Sequence, residues 1–274
     1  MRVRSRIPGV IFPILAILAV LMTLNASNAG AQVSPSLLEK YRGETFSSSS
    51  GTDLPYRILS PEKIEPGKRY PLVLFLHGAG ERGSDNRKQL VHAASDFASK
   101  KRQDEFPAFV IFPQCPTEHR WVESDWTLPS GFGKYDRKPS TAMAATFELV
   151  DHLCTSLPVD LKRIYVTGLS MGGQGAWFAA AQKPHRFAAL LEVCGGGDPS
   201  WAADYAGIPI WAFHGQNDGV VPISRAREMV IALTGAGHAP EIRYTEYPGV
   251  GHNSWTQTYK RDDVFSWLFS QQSP

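Results

Sequence analysis

The sequence predicts an α/β fold in which a mostly parallel central sheet is flanked by helices within a single domain. Continuous apolar runs such as Pro71–Leu76 and Ala108–Phe112 are typical of parallel strands that are buried on both faces. Segments with helical spacing of apolar residues alternate with these runs along the chain. The 274 residues are enough for one sizeable domain, and the sequence shows no repeat or second-domain boundary.

The predicted elements alternate in chain order, after a first stretch, residues 33–52, that begins with a short helix and passes through a polar linker at Ser47–Ser50. The predicted strands are Tyr56–Ser60, Pro71–Leu76, Ala108–Phe112, Ile164–Val166, Phe187–Val193, Pro209–Phe213 and Glu241–Tyr247. The predicted helices are Asp85–Lys100, Thr141–Leu157, Gly175–Gln182, Ser224–Thr234 and Asp262–Ser270. The irregular stretch Thr117–Lys138 is long for a plain connection, which makes it a candidate substrate-facing loop.

The composition is that of a globular protein, with 43% hydrophobic and 20% charged residues. A formal net charge of +2, without a long Lys/Arg run after the N-terminus, argues against a nucleic-acid partner. Cys115, Cys154 and Cys194 are odd in number and follow no metal-ligand spacing, so we interpret them as small core residues. No metal ion and no cofactor are expected.

The first thirty-one residues have the features of a secretory signal peptide. Three arginines lie among the first six residues, an apolar run covers Val10–Met22, and small residues occur at Ala29–Ala31. The alternative is a membrane anchor, but this run is shorter than the roughly 20 residues that span a bilayer, and it contains Pro13. We therefore expect a signal peptide at residues 1–31, a mature catalytic domain at residues 32–274, no stable membrane anchor, and a secreted or periplasmic location.

The segment Gly168-Leu-Ser-Met-Gly172 is a G-x-S-x-G motif between a predicted strand and a predicted helix. A serine on such a sharp turn has a strained backbone, and Cβ atoms two positions to either side would collide with the neighbouring strand and helix. Gly168 and Gly172 remove those collisions, so Ser170 Oγ can project from the carboxyl end of the strand. The alternative is a tight βα turn that contains a serine for structural reasons only.

Two further predicted strand ends carry Asp218 and His252, in the order Ser, Asp, His along the chain. A serine hydroxyl needs a base to take its proton, and a histidine, with an ordinary pKa near 6.5, suits that role. An aspartate would hold the imidazole in the correct tautomer. Taken singly, Asp218 is also compatible with a turn residue and His252 with a loop histidine bonded to backbone. Their joint occurrence after three strands favours a catalytic triad.

Several segments together resemble the secreted α/β-hydrolases of the esterase and prolyl-oligopeptidase-like group, which includes predicted peptidases and proteins similar to polyhydroxybutyrate depolymerases and feruloyl esterases. The matching segments are Leu76–Asp85, Phe112–Pro116, Gly168–Gly173, His214–Asp218 and Gly251–Trp255. The resemblance implies an α/β-hydrolase fold and a serine hydrolase that cleaves carboxylic esters through an acyl-enzyme on Ser170. The expected substrate is a small-molecule or polysaccharide-linked ester. The alternatives are a serine peptidase of the same group and a non-catalytic binding module on the same scaffold.

The same resemblance implies an oxyanion hole made by the backbone N–H groups of Ala79 and Met171. His77 at the start of that glycine-rich turn is interpreted as a structural residue that bonds to backbone. Aromatic side chains near the predicted site suggest substrate stacking, and the candidates are Trp121, Trp126 and Trp255. The alternative interpretation is that these tryptophans anchor loops by packing on the core.

Overall fold

The computed structural model describes residues 32–123, 135–238 and 242–273, and the fold lies within the compact unit Val33–Pro274. The predicted signal peptide and the candidate Trp126 lie outside the described residues. Among the described residues, no helix combines the length and the apolar character needed to cross a membrane.

Eight strands of the described chain form one sheet in the order β1-β2-β4-β3-β5-β6-β7-β8. The strands are β1 Arg42–Ser47, β2 Asp53–Leu59, β3 Tyr70–Leu76, β4 Phe109–Pro113, β5 Val159–Leu169, β6 Ala189–Val193, β7 Ile210–Gly215 and β8 Arg243–Tyr247. Strands β3 to β8 pair in parallel, whereas β2 is antiparallel to both β1 and β4. This mostly parallel sheet flanked by helices is the predicted α/β-hydrolase fold.

Helices connect the parallel strands and cover the sheet. They are α1 Pro35–Lys40, α2 Ala94–Phe97, α3 Lys100–Glu105, α4 Thr141–Ser156, α5 Met171–Gln182, α6 Ser224–Gly235, α7 Trp255–Thr258 and α8 Asp262–Ser270. Short 3₁₀ turns occur at Ala79–Glu81, Lys88–Leu90 and Pro199–Tyr205. Ser140 begins α4 by accepting the N–H of Met143 on its hydroxyl, which satisfies one of the donors left open at a helix start.

The core occupies both faces of the sheet, because every residue of β3, β4, β6 and β7 is buried. On one face, α4 and α5 pack against side chains such as Leu74 and Val166. On the other face, α8 and the aromatic group around Phe75 and Phe97 form a second cluster. Cys115 and Cys194 are buried in these clusters, as predicted, and Cys154 is partly buried. The carboxyl ends of β3, β5, β6 and β7 are thereby held at one rigid edge.

In the N-terminal half, the short helix expected within residues 33–52 is present at Pro35–Lys40, one strand was not predicted, and one predicted helix is wrong. The strand that was not predicted is β1 at residues 42–47, an edge strand that pairs with the backbone of β2 and whose side chains are mostly exposed. The predicted helix Asp85–Lys100 is instead a 3₁₀ turn followed by the short α2. Asp85 Oδ1 accepts the N–H groups of Arg87 and Lys88, which favours a turn over a helix, and Ala93 has a left-handed φ of 60°.

Candidate active site

Ser170 lies on the turn that joins β5 to α5, and its backbone is strained. Its φ of 54° and ψ of −119° are unusual for a residue with a Cβ. The backbone N–H of Ser170 donates to Val193 O at 2.9 Å, which ties the turn to the end of β6. The turn keeps the Ser170 side chain at the carboxyl edge of the sheet, where 9% of the residue remains exposed.

Two glycines make this turn possible by allowing backbone segments to approach one another. A Cβ on Gly168 would lie 2.2 Å from Gly172 O, and a Cβ on Gly172 would lie 1.9 Å from Leu76 O. Both distances are far below van der Waals contact, and the colliding atoms are backbone atoms that cannot rotate away. The steric reason predicted for the glycines of the motif is therefore confirmed.

His252 lies between Ser170 and Asp218 and is within hydrogen-bond distance of both. Its Nε2 is 2.9 Å from Ser170 Oγ, and its Nδ1 is 2.7 Å from Asp218 Oδ2. An ionised carboxylate only accepts hydrogen bonds, so Nδ1 carries the proton and Nε2 presents a lone pair to the hydroxyl. Ser170 Oγ can then donate its proton to Nε2, which is the proton transfer that activates a serine.

The Asp218 side chain has no exposed surface, yet its environment favours the ionised form. Burial raises the pKa of the carboxyl, but hydrogen bonds from His214 and His252 and from the N–H groups of Val220 and Val221 outweigh burial. The result is a pKa well below the usual range. Asp218 therefore carries a negative charge throughout the pH range in which a histidine base would operate.

The loops that carry Asp218 and His252 are joined by backbone hydrogen bonds. The N–H of Gln216 donates to Tyr247 O at 3.0 Å, and that of Asn217 donates to Val250 O at 2.8 Å. Gly215 allows this approach, because a Cβ at that position would lie 2.1 Å from Gly251 O. The separation of the acid and the imidazole is thus fixed by backbone contacts as well as by their own hydrogen bond.

The turn after β3 approaches Ser170 from the other side and begins with His77. A Cβ on Gly78 would lie 3.7 Å from Ser170 Cβ, and Ala79 follows as the first residue of a 3₁₀ turn. The His77 ring donates from Nδ1 to Gly78 O at 2.7 Å and accepts the N–H of Cys115 on Nε2 at 3.0 Å. Burial lowers the pKa of His77 to about 4, which keeps the ring neutral. These bonds to backbone are those expected of a structural residue.

Of the three candidate tryptophans, the two in the described part of the chain, Trp121 and Trp255, occupy different positions. Trp121 has no exposed surface and donates from Nε1 to His77 O at 3.0 Å, so it packs beneath the turn as a loop anchor. Trp255 is partly exposed, and its ring meets that of His252 edge-on with centroids 5.3 Å apart. The loop-anchor alternative thus describes Trp121, whereas Trp255 borders the site. Trp126 belongs to the undescribed residues.

Other carboxylates near strand ends have different partners. Asp198 accepts the N–H of Ser200 on Oδ1 and the N–H of Tyr135 on Oδ2. Glu246 pairs with Arg227 at 2.6 Å. The structure therefore brings Asp218, rather than Asp198 or Glu246, to the imidazole of His252.

One group of potential metal ligands occurs among the described residues, formed by Cys194, Asp218 and His252 with ligand atoms within 4.8 Å of one another. Burial raises the pKa of the Cys194 thiol well above its ordinary value, so this group is protonated. Asp218 and His252 are already bonded to each other. A protonated thiol beside a hydrogen-bonded Asp218–His252 pair suits proton transfer by His252 better than metal coordination.

The sequence did not predict that His214 contacts Asp218 or that Glu192 is buried near the site. His214 is fully buried, and its Nε2 is 3.2 Å from Asp218 Oδ2, so the acid has a second histidine partner. Glu192 has no exposed surface and accepts the N–H of Gly195 just beyond the end of β6. His214 belongs to the segment His214–Asp218, which was singled out for Asp218 alone. For Glu192, the feature that could have predicted a special role was a charged residue within an apolar strand.

Comparison with known protein families gives a consistent result. A family model named Esterase, with the description "Putative esterase", matches residues 47–263. The chain is 37% identical to a solved thermostable esterase with a TM-score of 0.79, and the match covers 86% of this chain and 64% of that one. The match therefore spans somewhat less than two thirds of that esterase.

Two further proteins are more distant. A bifunctional acetylxylan esterase/xylanase from Neocallimastix patriciarum is 23% identical over 73% of this chain, a match that spans 26% of the longer relative. A ferulic acid esterase from Anaeromyces mucronatus is 13% identical with a TM-score of 0.57, covering 88% of this chain and 96% of that one. The latter likeness shows the fold alone.

The contact between Gly172 and Leu76 predicts that Gly172→Ala destabilises the protein. Because the new Cβ would overlap Leu76 O, β3 and α5 must separate, and we expect the free energy of unfolding to fall by about 3 kcal/mol or more. Gly235→Ala is the matched control, since nothing lies within 4 Å of a Cβ at that position. Chemical denaturation measures both variants, and equal stability of the two would contradict the steric account.

Proposed function

Because this chain belongs to the esterase family, we propose that it is a carboxylic ester hydrolase that works through Ser170, His252 and Asp218. The observation that carries this proposal is the continuous hydrogen-bonded line from Ser170 Oγ through both ring nitrogens of His252 to Asp218 Oδ2. A non-catalytic scaffold has no need for a strained serine at 9% exposure aligned with such a pair. The roles below follow from this geometry.

In the first step Ser170 Oγ attacks the ester carbonyl carbon while His252 Nε2 takes the hydroxyl proton. The imidazolium that forms is stabilised by the Asp218 carboxylate, which remains ionised because its pKa lies well below the usual range. When the carbon–oxygen bond of the ester breaks, His252 Nε2 returns the proton to the leaving alcohol. The acyl group stays on Ser170, and a water molecule, deprotonated by His252, releases it as a carboxylic acid.

The negative charge on the carbonyl oxygen needs donors that are already oriented. Met171 is the first residue of α5, so its N–H has no acceptor within the helix and lies at the positive end of the helix dipole. Ala79 is the first residue of the 3₁₀ turn that borders Ser170, and the bonds of His77 fix this turn. We assign the oxyanion hole to the N–H groups of Ala79 and Met171.

The substrate class that we propose is acetyl or phenolic esters attached to plant polysaccharides. The acetylxylan specificity named for the Neocallimastix relative supports an acetyl ester, and the partly exposed ring of Trp255 beside His252 offers apolar surface for a sugar or aromatic group. We also propose that the chain is exported and cleaved after Ala31, on the strength of residues 1–31. An exported enzyme would meet such polymers directly.

The role of Asp218 predicts a large loss of activity in Asp218→Asn, because an amide no longer favours the proton on His252 Nδ1. We expect kcat to fall by about 10²-fold or more. Asp198→Asn is the matched control and should retain most of the activity, since Asp198 is bonded to Ser200 and Tyr135. If Asp198→Asn abolishes turnover while Asp218→Asn does not, the assignment of the acid is wrong.

The substrate proposal predicts hydrolysis of acetylxylan or a feruloyl ester by the exported protein, whose N-terminus should be Gln32 by mass spectrometry. A panel of p-nitrophenyl esters of increasing chain length should show highest kcat/KM for acetate, together with little cleavage of a peptide amide. Preference for the amide would support the peptidase alternative. Preference for long acyl chains would contradict the proposed substrate class.

A further inference from the structure

Behind Asp218 lies a second set of buried titratable groups, Glu192 on β6 and His214 on β7. Both side chains have no exposed surface. In the sheet, Glu192 pairs with Ala212, and His214 follows two residues later on β7. Because side chains alternate between the faces of a sheet, Glu192 and His214 lie on the same face, below the start of α5. The proposed reaction steps do not use either group.

The protonation of His214 follows from its partners. Its Nε2 is 2.9 Å from Val221 O and 3.2 Å from Asp218 Oδ2. A carbonyl oxygen and an ionised carboxylate both accept and cannot donate, so Nε2 must carry a hydrogen, which the two acceptors share. His214 is therefore a hydrogen-bond donor to the same Asp218 oxygen that accepts from His252.

The other nitrogen of His214 and one oxygen of Glu192 are chemically complementary. Within the described part of the chain, His214 Nδ1, Glu192 Oε2 and Trp177 Nε1 are all buried without a hydrogen bond of normal geometry. The indole N–H of Trp177 is the side-chain donor that lowers the pKa of Glu192, whereas His214 acts on Glu192 through its charge. The other oxygen, Glu192 Oε1, accepts the N–H of Gly195. Nδ1 can take a proton and a carboxyl can release one, so a single proton placed on either group leaves the pair neutral overall.

Charge couples these two groups to each other. Burial raises the pKa of Glu192 to about 7, although the nearby His214 opposes the increase. For His214, burial lowers the pKa, but the hydrogen bond to Asp218 and the charge of Glu192 outweigh it, so the pKa is raised. A buried carboxyl with a pKa of about 7 is thus close enough to Asp218 for the two charges to interact.

We propose that His214 is a positioning residue that holds Asp218 Oδ2 toward His252. We also propose that the ionisation of Glu192 sets the net charge of the Glu192–His214 pair near Asp218. This inference rests on the proposed function of Ser170, His252 and Asp218. When Glu192 loses its proton, the added negative charge stabilises the imidazolium that His252 forms during the reaction. We therefore expect kcat/KM to increase as the pH rises past the pKa of Glu192.

The other groups around Glu192 do not change charge in the same pH range. Burial raises the pKa values of the Cys194 thiol, just after the end of β6, and of the phenols of Tyr244 and Tyr259, so all three stay neutral. Asp218 stays ionised, for the reasons given above. Glu246 on β8 is held ionised by its ion pair with Arg227. Within the described residues, the Glu192–His214 pair is left as the titrating unit behind Asp218.

The first test compares Glu192→Gln with the matched control Glu246→Gln. The glutamine retains a carbonyl oxygen for the Gly195 N–H but cannot ionise. With p-nitrophenyl acetate, the ratio of kcat/KM at pH 8.5 to that at pH 6 should fall by about three- to tenfold in Glu192→Gln, as expected for one partly screened charge several ångströms away. Glu246→Gln should keep the wild-type ratio. An unchanged ratio in Glu192→Gln would overturn the role of Glu192.

A stability readout accompanies this test. Because the pKa of Glu192 rises from an ordinary 4.5 to about 7 on folding, the folded state binds more protons than the unfolded state between these values. Wild-type stability should therefore decline as the pH rises from about 4.5 to 7, and Glu192→Gln should lack this decline. If Glu192→Gln changes the pH dependence of Tm as predicted but leaves the ratio of kcat/KM at the two pH values unchanged, Glu192 has only a structural role and the proposal for it is wrong.

The second test separates positioning by His214 from packing. His214→Phe preserves bulk but removes the donor, and we expect kcat to fall about tenfold with KM changed by less than about twofold. His214→Gln supplies an N–H and should recover part of the loss. If both variants keep wild-type kcat, or if the glutamine is no better than the phenylalanine at equal Tm, positioning by His214 is contradicted. Failure of a fluorophosphonate probe to label Ser170 in the wild type would instead overturn the proposed function, and this inference with it.

Discussion

The close backbone approach between the start of α5 and the end of β3 is the constraint on which the site depends. With a Cβ on Gly172 only 1.9 Å from Leu76 O, the two segments are in contact without an intervening side chain. This contact places the turn of Ser170 beside the turn that begins at His77, which brings the proposed nucleophile close to the turn that carries Ala79. The strained φ of Ser170 is maintained because the sheet and α5 over-determine it.

The second requirement is a buried negative charge that remains ionised. Burial raises the pKa of Asp218, and hydrogen bonds from two histidines and two backbone N–H groups outweigh it and keep the carboxyl ionised. Gly215 contributes by letting the loops of Asp218 and His252 join through their backbones. Asp218 thus contacts both His252 and His214, and we infer that the charge of Glu192 adds to the electrostatic environment of His252.

The sequence was informative where chemistry depends on local pattern. The G-x-S-x-G turn, and the positions of Asp218 and His252 after successive strands, are local features, so three side chains that the structure brings together could be chosen in advance. Glu192 and His214 could not be paired in advance, because their common face depends on the register between β6 and β7. The edge strand β1 was missed because its sequence shows no apolar alternation and most of its side chains are exposed. The prediction of a helix at Asp85–Lys100 was wrong because the side chain of Asp85 stabilises a turn, which the spacing of apolar residues does not indicate.

The central claim is that Ser170 is an activated nucleophile, and covalent labelling tests it most directly. A fluorophosphonate reacts with serines whose proton is removed by a neighbouring base, and the site of modification can be located by peptide mass spectrometry. The account predicts one phosphonyl adduct, on the peptide that contains Ser170, with labelling slowed by about 10²-fold or more when His252 is replaced by alanine. An unlabelled protein, or an adduct on another serine such as Ser254 in the loop of His252, would contradict it.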